Sequence, residues 1–371
     1  MKIQKITPFL VGRFLLVRVY TDEGIIGNGE AGLWAHHPIV YTAIEQLSEY
    51  YVGKDPLRIE HHQQVVTRNT HFGGTVLSAA ISAIDVALWD ILGKVTGQPV
   101  YQLLGGKCRD RVKVFANVVG ETPEARAESA QESVEAGYLS LRTSPFFAGF
   151  EQKTPSQVIA DAVAIVAAIR EAVGHGIDLG VEIHRNLRPE EAIILANELL
   201  PYRLLYYEDP LAPESVEALV NVMQQIHLPV ATGERFYTIQ QFKELIDRRT
   251  VSLIRPDLSL AGGYTQCKKI AAIAEAAFVG IFPHLMGSPV NIAAFIQFDA
   301  ATPNFVLHES HTFADAFNDI VDEPPQRDGG YLLVPDRPGI GLDIDENKLA
   351  HHPYQPIPIT GHFHADGSVA H

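Results

Sequence analysis

Residues 204–210 read LLYYEDP, an apolar run that ends in Glu208, Asp209 and a proline. Similar runs recur between residues 112 and 310, and alanine-rich stretches with a helical pattern lie between most of them. The other runs are VKVFANVV, LSLRT, IDLGVEIHRN, PVATGER, VSLIRPD, VGIFPH and FVLHES. Because strands of a parallel sheet are buried on both faces, they need not alternate apolar and polar residues. Eight such runs with intervening helices predict an α/β protein whose main unit is a (β/α) barrel.

The barrel-like runs end in polar residues that recur at a regular interval. Successive members are 23 to 27 residues apart, which suits one strand followed by one helix. They are Glu182, Glu208, Glu234, Asp257, His284 and Glu309. Each residue is therefore predicted at the carboxyl end of its own strand, on the face where barrels place their active sites.

Glu182, Glu208 and Glu234 follow three consecutive runs, so their carboxylates are predicted to converge. Carboxylates crowded in a partly buried site repel one another unless a cation neutralises them. Hard oxygen donors without a cysteine favour Mg²⁺, with Mn²⁺ as a second choice. The alternative, which the equal spacing of the three acids disfavours, is that they bind helix N-termini or pair with nearby arginines. Those arginines are Arg185, Arg203 and Arg235.

Asp257 and His284 end the next two runs, so a contact is predicted in which the carboxylate orients the imidazole ring and raises its basicity. His184 lies two residues beyond Glu182, which in an extended segment places both side chains on the same side. A hard cation beside a basic histidine suits removal of a proton next to a carboxylate, with the metal stabilising the enediolate that forms. The base itself contributes only about 10²–10⁴-fold.

Composition and charge limit the classes of partner. The chain has 371 residues, which suits two domains or one large barrel with additions, and its formal net charge is −15. This charge argues against nucleic acid or an anionic membrane as a partner. Cys108 and Cys267 have no metal-ligand spacing, and the N-terminus lacks the apolar core of a signal peptide. We therefore predict a cytoplasmic protein that binds neither nucleic acid nor a membrane.

The residues before the barrel have a different pattern. KIQKITPFL and RFLLVRVY, the turn signal TDEG and the run IIGNGEAG predict a β-meander within residues 1–30. From about residue 38 to residue 96 the pattern is helical, with Ile84 and Leu88 at helix spacing and Gly97 placed to end the helix. This part is predicted to be a small α+β unit.

The sequence resembles the enolase superfamily, and within it the acid-sugar dehydratases of the mandelate racemase subgroup, of the galactonate and mannonate dehydratase kind. The resemblance covers nearly the whole chain. The motifs that carry it are TDEGIIGNGEAG, SAIDVALWDILGK, QLLGGKCRD, VEIHRN, YYEDP, ATGER, IRPDLSLAGGYTQCKKIA, FPHLMGSP and PNFVLHES. Each motif is short, but their order and spacing together are specific. The resemblance implies one Mg²⁺ per subunit, bound by Glu182, Glu208 and Glu234, and a base dyad of Asp257 with His284.

The resemblance also implies a modified barrel of the (β/α)7β type, capped by an N-terminal α+β domain, in a homo-oligomer. The predicted division is a cap at residues 1–115, a barrel at 116–322 and a C-terminal segment at 323–371 that returns to the cap. Specificity loops are expected at residues 29–37 and 70–75. The candidate substrate contacts are Trp34, His36, Phe72 and Arg235.

Two further residues match family roles. His184 matches a second acid/base suited to protonating a departing hydroxyl, and Glu309 matches a residue that hydrogen-bonds the substrate carboxylate or its enediolate. Two positions depart from the subgroup. Glu182 stands where aspartate is usual, and Ser140 with Arg142 stand where many relatives have a Lys-x-Lys base pair. Because arginine stays protonated, Arg142 is a poor general base and would serve better as a cation for the substrate.

The leading hypothesis is a Mg²⁺-dependent aldonate dehydratase that removes the α-proton and the β-hydroxyl of a sugar acid to give a 2-keto-3-deoxy acid. The first alternative is a cycloisomerase of a sugar-acid lactone or anhydro sugar acid, in which the same proton removal expels a ring oxygen. An epimerase or racemase ranks third, since it needs acid/base groups on both faces of the substrate. A barrel that binds metal without turnover is the fourth, because fold does not fix function.

Overall fold

The N-terminal part of the chain folds into an antiparallel sheet covered by helices. The computed structural model describes residues 1–309 and 311–370, so His371, at the end of the predicted C-terminal segment, lies outside the described residues. The strands are β1 (Ile3–Val11), β2 (Phe14–Thr21) and β3 (Ile26–Ala31), in the order β1-β2-β3. The helices are α1 (His37–Tyr51), α2 (Ile59–Arg68), α3 (Thr75–Thr96) and α4 (Val100–Leu104). The predicted meander is confirmed.

Helix α3 lies at the centre of this cap. It packs against β3 and ends at Gly97, whose φ of 66° lies in the left-handed region that glycine adopts without strain. Within the described residues, α3 is the only helix long and apolar enough to cross a membrane. However, 72% of its most apolar window is buried inside the protein, which is typical of a core helix.

Strand β4 (Arg111–Lys113) leads into seven parallel strands that form the barrel wall in chain order. They are β5 (Ala116–Asn117), β6 (Ser140–Thr143), β7 (Asp178–Glu182), β8 (Tyr206–Glu208), β9 (Val230–Thr232), β10 (Leu253–Ile254) and β11 (Gly280–Ile281). The eighth predicted run closes the wall through bridges from Phe305 to Ile281 and from His308 to Val114. The predicted modified barrel is confirmed.

Helices connect the barrel strands, and a short segment follows the barrel. The connecting helices are α5 (Pro123–Glu135), α6 (Pro155–Val173), α7 (Pro189–Glu198), α8 (Val216–Met223), α9 (Ile239–Asp247), α10 (Gly263–Ala276) and α11 (Pro289–Ala301). The final elements are β12 (Arg327–Asp328), β13 (Tyr331–Leu333) and α12 (Glu346–Leu349), with β13 between β12 and β4. Asp343 of this segment accepts hydrogen bonds from Asn28 and Lys94 of the cap, at 2.8 and 2.7 Å. The exact division at residues 115 and 322 stays a prediction.

Buried acids join the cap to the barrel. Glu30 on β3 accepts hydrogen bonds from the backbone N of Ser288, at 3.0 Å, and from its hydroxyl, where α11 begins. Asp85 on α3 accepts a hydrogen bond from the backbone N of Thr265, at 3.1 Å, in the first turn of α10. Backbone N–H groups at the start of a helix have no partner within the helix, so both contacts satisfy such a group and join the cap to the barrel. Ser288 lies four residues after His284, so the first contact also anchors the loop that carries this histidine.

The free energy of unfolding is expected to fall as the pH rises, in part because of Glu30. Burial raises the pKa of Glu30 from 4.5 to about 8, in spite of the hydrogen bonds from Ser288. The folded protein therefore holds this proton more tightly than the unfolded chain. The stabilisation is complete below pH 4.5 and is lost as the pH rises to about 8.

We expect the Glu30→Gln variant to lose less unfolding free energy than the wild type between pH 4.5 and pH 8, measured by chemical denaturation. Glutamine has the same shape and no proton to lose in this range. The Glu45→Gln variant is the matched control, since Glu45 is exposed on α1. Equal pH dependence of the wild type and the Glu30→Gln variant would contradict the assignment.

Candidate active site

Three neighbouring strands bring the predicted metal ligands to one point. β7 ends at Glu182 and β8 ends at Glu208, and these two residues are partners in the parallel ladder. Glu234 lies two residues beyond the end of β9. One carboxylate oxygen from each of the three residues lies within 4.8 Å of the others. Oxygen donors in this arrangement suit a hard divalent cation.

Glu208 gives the physical reason why a cation fits. Its side chain is fully buried, and neither carboxylate oxygen accepts a hydrogen bond from residues 1–309 or 311–370. Arg255 Nε lies 3.1 Å from Glu208 Oε1, close enough for charge attraction, although the angles are not those of a hydrogen bond. Burial raises the pKa of Glu208 well above its ordinary value, and Arg255 offsets this only in part. A divalent cation would supply the missing positive charge and use the unpaired oxygen lone pairs.

Asp257 and His284 make the predicted contact, with His284 Nδ1 2.8 Å from Asp257 Oδ2. The second oxygen of Asp257 accepts hydrogen bonds from the backbone N and hydroxyl of Ser259, at 2.8 and 2.5 Å, which fixes the carboxylate. His284 Nε2 lies 3.9 Å from Glu234 Oε2. Burial alone would lower the pKa of His284, but Glu234 and the hydrogen bond to Asp257 raise it to about 9. Asp257 thus orients the ring, and Nε2 is the nitrogen left to act on a substrate.

His184 enters the cleft by a backbone path that differs from the predicted one. β7 ends at Glu182, and His184 and Arg185 have φ values of 50° and 64°, in the left-handed region that non-glycine residues rarely adopt. The prediction of an extended segment here is wrong, because the chain turns after the strand and Arg185 N donates to Asp209 O at 3.0 Å. Both Glu182 and His184 nevertheless line the cleft. Burial lowers the pKa of His184, and the charge of Arg185 lowers it further.

Arg142 and Glu309 also line the cleft, and they lie beside the carboxylate cluster. Arg142 Nη1 lies 2.8 Å from Glu309 Oε1, 3.3 Å from Glu182 Oε2 and 3.6 Å from Glu208 Oε1. Burial alone would raise the pKa of Glu309, but Arg255 and Arg142 hold it well below its ordinary value. Glu309 is therefore an anion that holds two guanidiniums in place. Its hydrogen bond to the substrate carboxylate or enediolate stays a prediction.

The cleft at the barrel mouth has a volume of about 1060 Å³ and is lined by the cap and the barrel together. Trp34 and His36 reach it from the cap, and Arg235 reaches it from the barrel, as the predicted substrate contacts require. Phe72 is 84% exposed and does not line the cleft, so the structure does not bring this candidate to the site. Thr75, at the start of α3, lines the cleft in its place.

Only one of the three arginines considered as alternative partners pairs with a predicted ligand, within residues 1–309 and 311–370. Arg185 Nη1 lies 2.7 Å from Glu234 Oε1 and also contacts Asp209. Arg235 pairs instead with Glu214, at 3.0 Å. The single positive charge of Arg185 is therefore shared between Glu234 and Asp209.

Two residues of the site had no role in the sequence-based prediction. Arg255 is fully buried and contacts both Glu208 and Glu309. It lies two residues before Asp257 in the IRPD motif, so the two-residue period of a strand could have placed both on the same face. The second residue is His311, which lies two residues after Glu309, and its Nε2 is 3.1 Å from Glu309 Oε1.

Comparison with known proteins covers almost the entire chain. Residues 6–105 match the mandelate racemase / muconate lactonizing enzyme N-terminal domain, and residues 125–348 match the enolase C-terminal domain-like family. The chain is 37% identical to D-galactonate dehydratase of Pectobacterium atrosepticum over 361 residues, which is 94% of each protein. It is also 37% identical to D-galactonate dehydratase of Ralstonia pickettii, over the full length of both.

Solved structures give the same result for the fold. An enolase from Agrobacterium radiobacter, named provisionally as a galactarate dehydratase and bound to sodium and L-malate, superposes with a TM-score of 0.92. It is 30% identical to this chain, and the match covers 100% of both chains.

Proposed function

This chain belongs to the mandelate racemase and muconate lactonizing enzyme family of the enolase superfamily, and on that premise we propose that it dehydrates D-galactonate with a bound Mg²⁺ ion. In class the chain is an acid-sugar dehydratase, a hydro-lyase. One observation supports the reaction most strongly. The dyad of Asp257 and His284 lies beside the cluster of three carboxylates, with His284 Nε2 3.9 Å from Glu234 Oε2, and His184 lines the same cleft.

Glu182, Glu208 and Glu234 would hold the ion. When bound, it supplies positive charge that stabilises the negative charge developing on the substrate carboxylate as the α-proton leaves. Arg142, beside Glu182 and Glu309, adds a fixed cation at the same end of the cleft. The substrate carboxylate is therefore placed at the three-carboxylate cluster, with its α-carbon toward His284.

The protein's own residues then move two protons. His284 Nε2, in its neutral form, accepts the α-proton while Asp257 keeps the Nδ1 hydrogen in place, which fixes the tautomer. A cation held by Glu234 would favour this neutral form, because it offsets the carboxylate charge that raises the pKa of His284. His184, in its protonated form, donates a proton to the departing β-hydroxyl, which leaves as water. The resulting enol tautomerises to the 2-keto-3-deoxy acid. Arg142 stays protonated, so no second base faces His284 from the second barrel strand, and elimination is favoured over racemisation.

The test is an assay of the purified protein with D-galactonate and Mg²⁺, detecting the 2-keto-3-deoxy acid, with parallel reactions that contain EDTA. We expect product from the open-chain acid and none with EDTA. Galactonolactone, held below the pH at which it hydrolyses rapidly, is the comparison substrate. Product from the lactone alone would overturn dehydration in favour of cycloisomerisation.

The His184→Asn variant is expected to separate the two proton transfers. Loss of the acid should lower product formation by about 10²–10⁴-fold, whereas His284 can still remove the α-proton. In D₂O the variant should therefore exchange the α-hydrogen of galactonate for deuterium, as read by NMR. If exchange and product formation fall together, His184 does not act as the acid for the leaving group.

A further inference from the structure

An ion pair lies in the cleft wall apart from the metal cluster. Arg235 Nη2 is 3.0 Å from Glu214 Oε1, and both side chains line the cleft. They are half exposed or more, at 50% and 64%. Neither residue makes an ion pair with Glu182, Glu208 or Glu234. Together they offer both hydrogen-bond donors and acceptors to whatever occupies this part of the cleft.

Every guanidinium that lines the cleft within the described residues already has an acidic partner. Arg142 is paired with Glu309 and Arg185 with Glu234, so Arg235 with Glu214 completes the set. No lysine lines the cleft within residues 1–309 and 311–370. Five carboxylates face three guanidiniums there. Among the described residues, no arginine or lysine of the lining is therefore free to pair with a second carboxylate on the substrate.

The orientation of the substrate decides which end meets this pair. The proton to be removed is next to the substrate carboxylate, so this carboxylate must lie at the metal cluster and the dyad. The other end of the sugar chain then extends into the rest of the cleft, whose lining includes Arg235 and Glu214. A terminal hydroxyl can donate to Glu214 and accept from Arg235. A terminal carboxylate can only accept, and it would face the negative charge of Glu214.

We propose that the pair of Arg235 and Glu214 makes the enzyme select sugar monoacids over sugar diacids, an inference that rests on the proposed function. Glu214 is the excluding group, because it both repels a second carboxylate and occupies the arginine that would bind it. An exposed ion pair of this kind contributes little to folding, so Glu214 can be replaced without loss of the fold.

The test compares D-galactonate with galactarate, which has the same configuration along the carbon chain and a carboxylate in place of the terminal hydroxymethyl group. We expect the wild type to prefer galactonate by about 10²-fold or more in kcat/KM, since like charges placed together cost several kcal/mol. In the Glu214→Gln variant this ratio should fall by at least about tenfold, which corresponds to 1.4 kcal/mol. The fall should come from a lower KM for galactarate, because Arg235 is released to bind the second carboxylate.

Two control variants locate the effect. The Glu217→Gln variant removes the same charge from an exposed position on α8 outside the cleft, and its ratio should equal that of the wild type. In the double variant Glu214→Gln with Arg235→Gln, the gain toward galactarate should disappear, because the cation is gone. A gain that survives in the double variant would overturn the role of Arg235.

The possible results of this experiment distinguish a failure of the selection mechanism from a failure of the proposed function. If the wild type dehydrates galactonate and the ratio does not change in the Glu214→Gln variant, the selection mechanism fails while the function stands. A wild type that turns over galactarate as well as galactonate would also overturn the selection mechanism. If the wild type dehydrates neither acid, the proposed function itself fails.

Discussion

The His284→Asn variant is expected to lose dehydration of D-galactonate by at least about 10²–10⁴-fold in kcat, which is the usual contribution of a general base. Asparagine is close to histidine in size and can still hydrogen-bond Asp257, but it cannot accept a proton. His284 Nδ1 is already committed to Asp257 at 2.8 Å, so Nε2 is the only ring atom that can take the α-proton. The measurement is product formation at saturating galactonate and Mg²⁺.

Measurements of metal binding and hydrogen exchange show whether the His284→Asn variant loses activity because the base is missing or because the metal site is damaged. The variant should bind Mn²⁺ as the wild type does, and it should not exchange the α-hydrogen of galactonate in D₂O. The His352→Asn variant is the matched control, because His352 also contacts an aspartate, Asp319, at 2.8 Å but lies outside the cleft. Exchange at the wild-type rate in the His284→Asn variant would assign the base to another residue.

The Glu208→Gln variant is expected to weaken Mn²⁺ binding by more than about 100-fold. Loss of a residue that only orients a metal ligand lowers metal affinity by about 10–100-fold, and Glu208 is predicted to be a ligand itself, so its loss should cost more. Glu208 is fully buried, and its two oxygens accept no hydrogen bond from the described part of the chain, so they are free to bind a metal ion. Glutamine keeps the shape but removes the charge and one of the acceptor oxygens. Isothermal titration calorimetry with Mn²⁺ on the EDTA-treated protein measures the change.

The Glu182→Asp variant serves as the comparison for the metal site. Aspartate keeps the charge, so this variant should bind Mn²⁺ and retain measurable dehydration. Thermal unfolding of both variants is needed, because Glu208 also faces the buried Arg255. If the Glu208→Gln variant is folded and binds Mn²⁺ with wild-type affinity, the three carboxylates are not the metal site.

Much of the site could be located from the sequence because its polar residues recur at a regular interval along the chain. The interval between successive polar residues is one strand and one helix, and strands in a parallel barrel point their carboxyl ends to one face. This placed Glu182, Glu208 and Glu234 together, and Asp257 beside His284, before any contact was known. The roles of these residues stay predictions until the variants are measured.

Other features of the site could not be predicted from the local pattern of the sequence. The left-handed turn at His184 depends on the hydrogen bond from Arg185 to Asp209, which belongs to the next strand. The exposure of Phe72 depends on how the cap loop turns before α3. A loop of this kind has no period from which the direction of a side chain can be predicted.

The sequence by itself determined the barrel, the cap and the strand ends that carry the chemistry, because strands and helices repeat over short distances along the chain. The tertiary structure alone decided the long-range ion pairs and hydrogen bonds around the site. Arg142 and Glu309 are 167 residues apart, and Glu30 and Ser288 are 258 residues apart. Such pairs form only when distant segments are packed together. The ion pairs that line the cleft, such as Arg142 with Glu309, therefore depend on this packing.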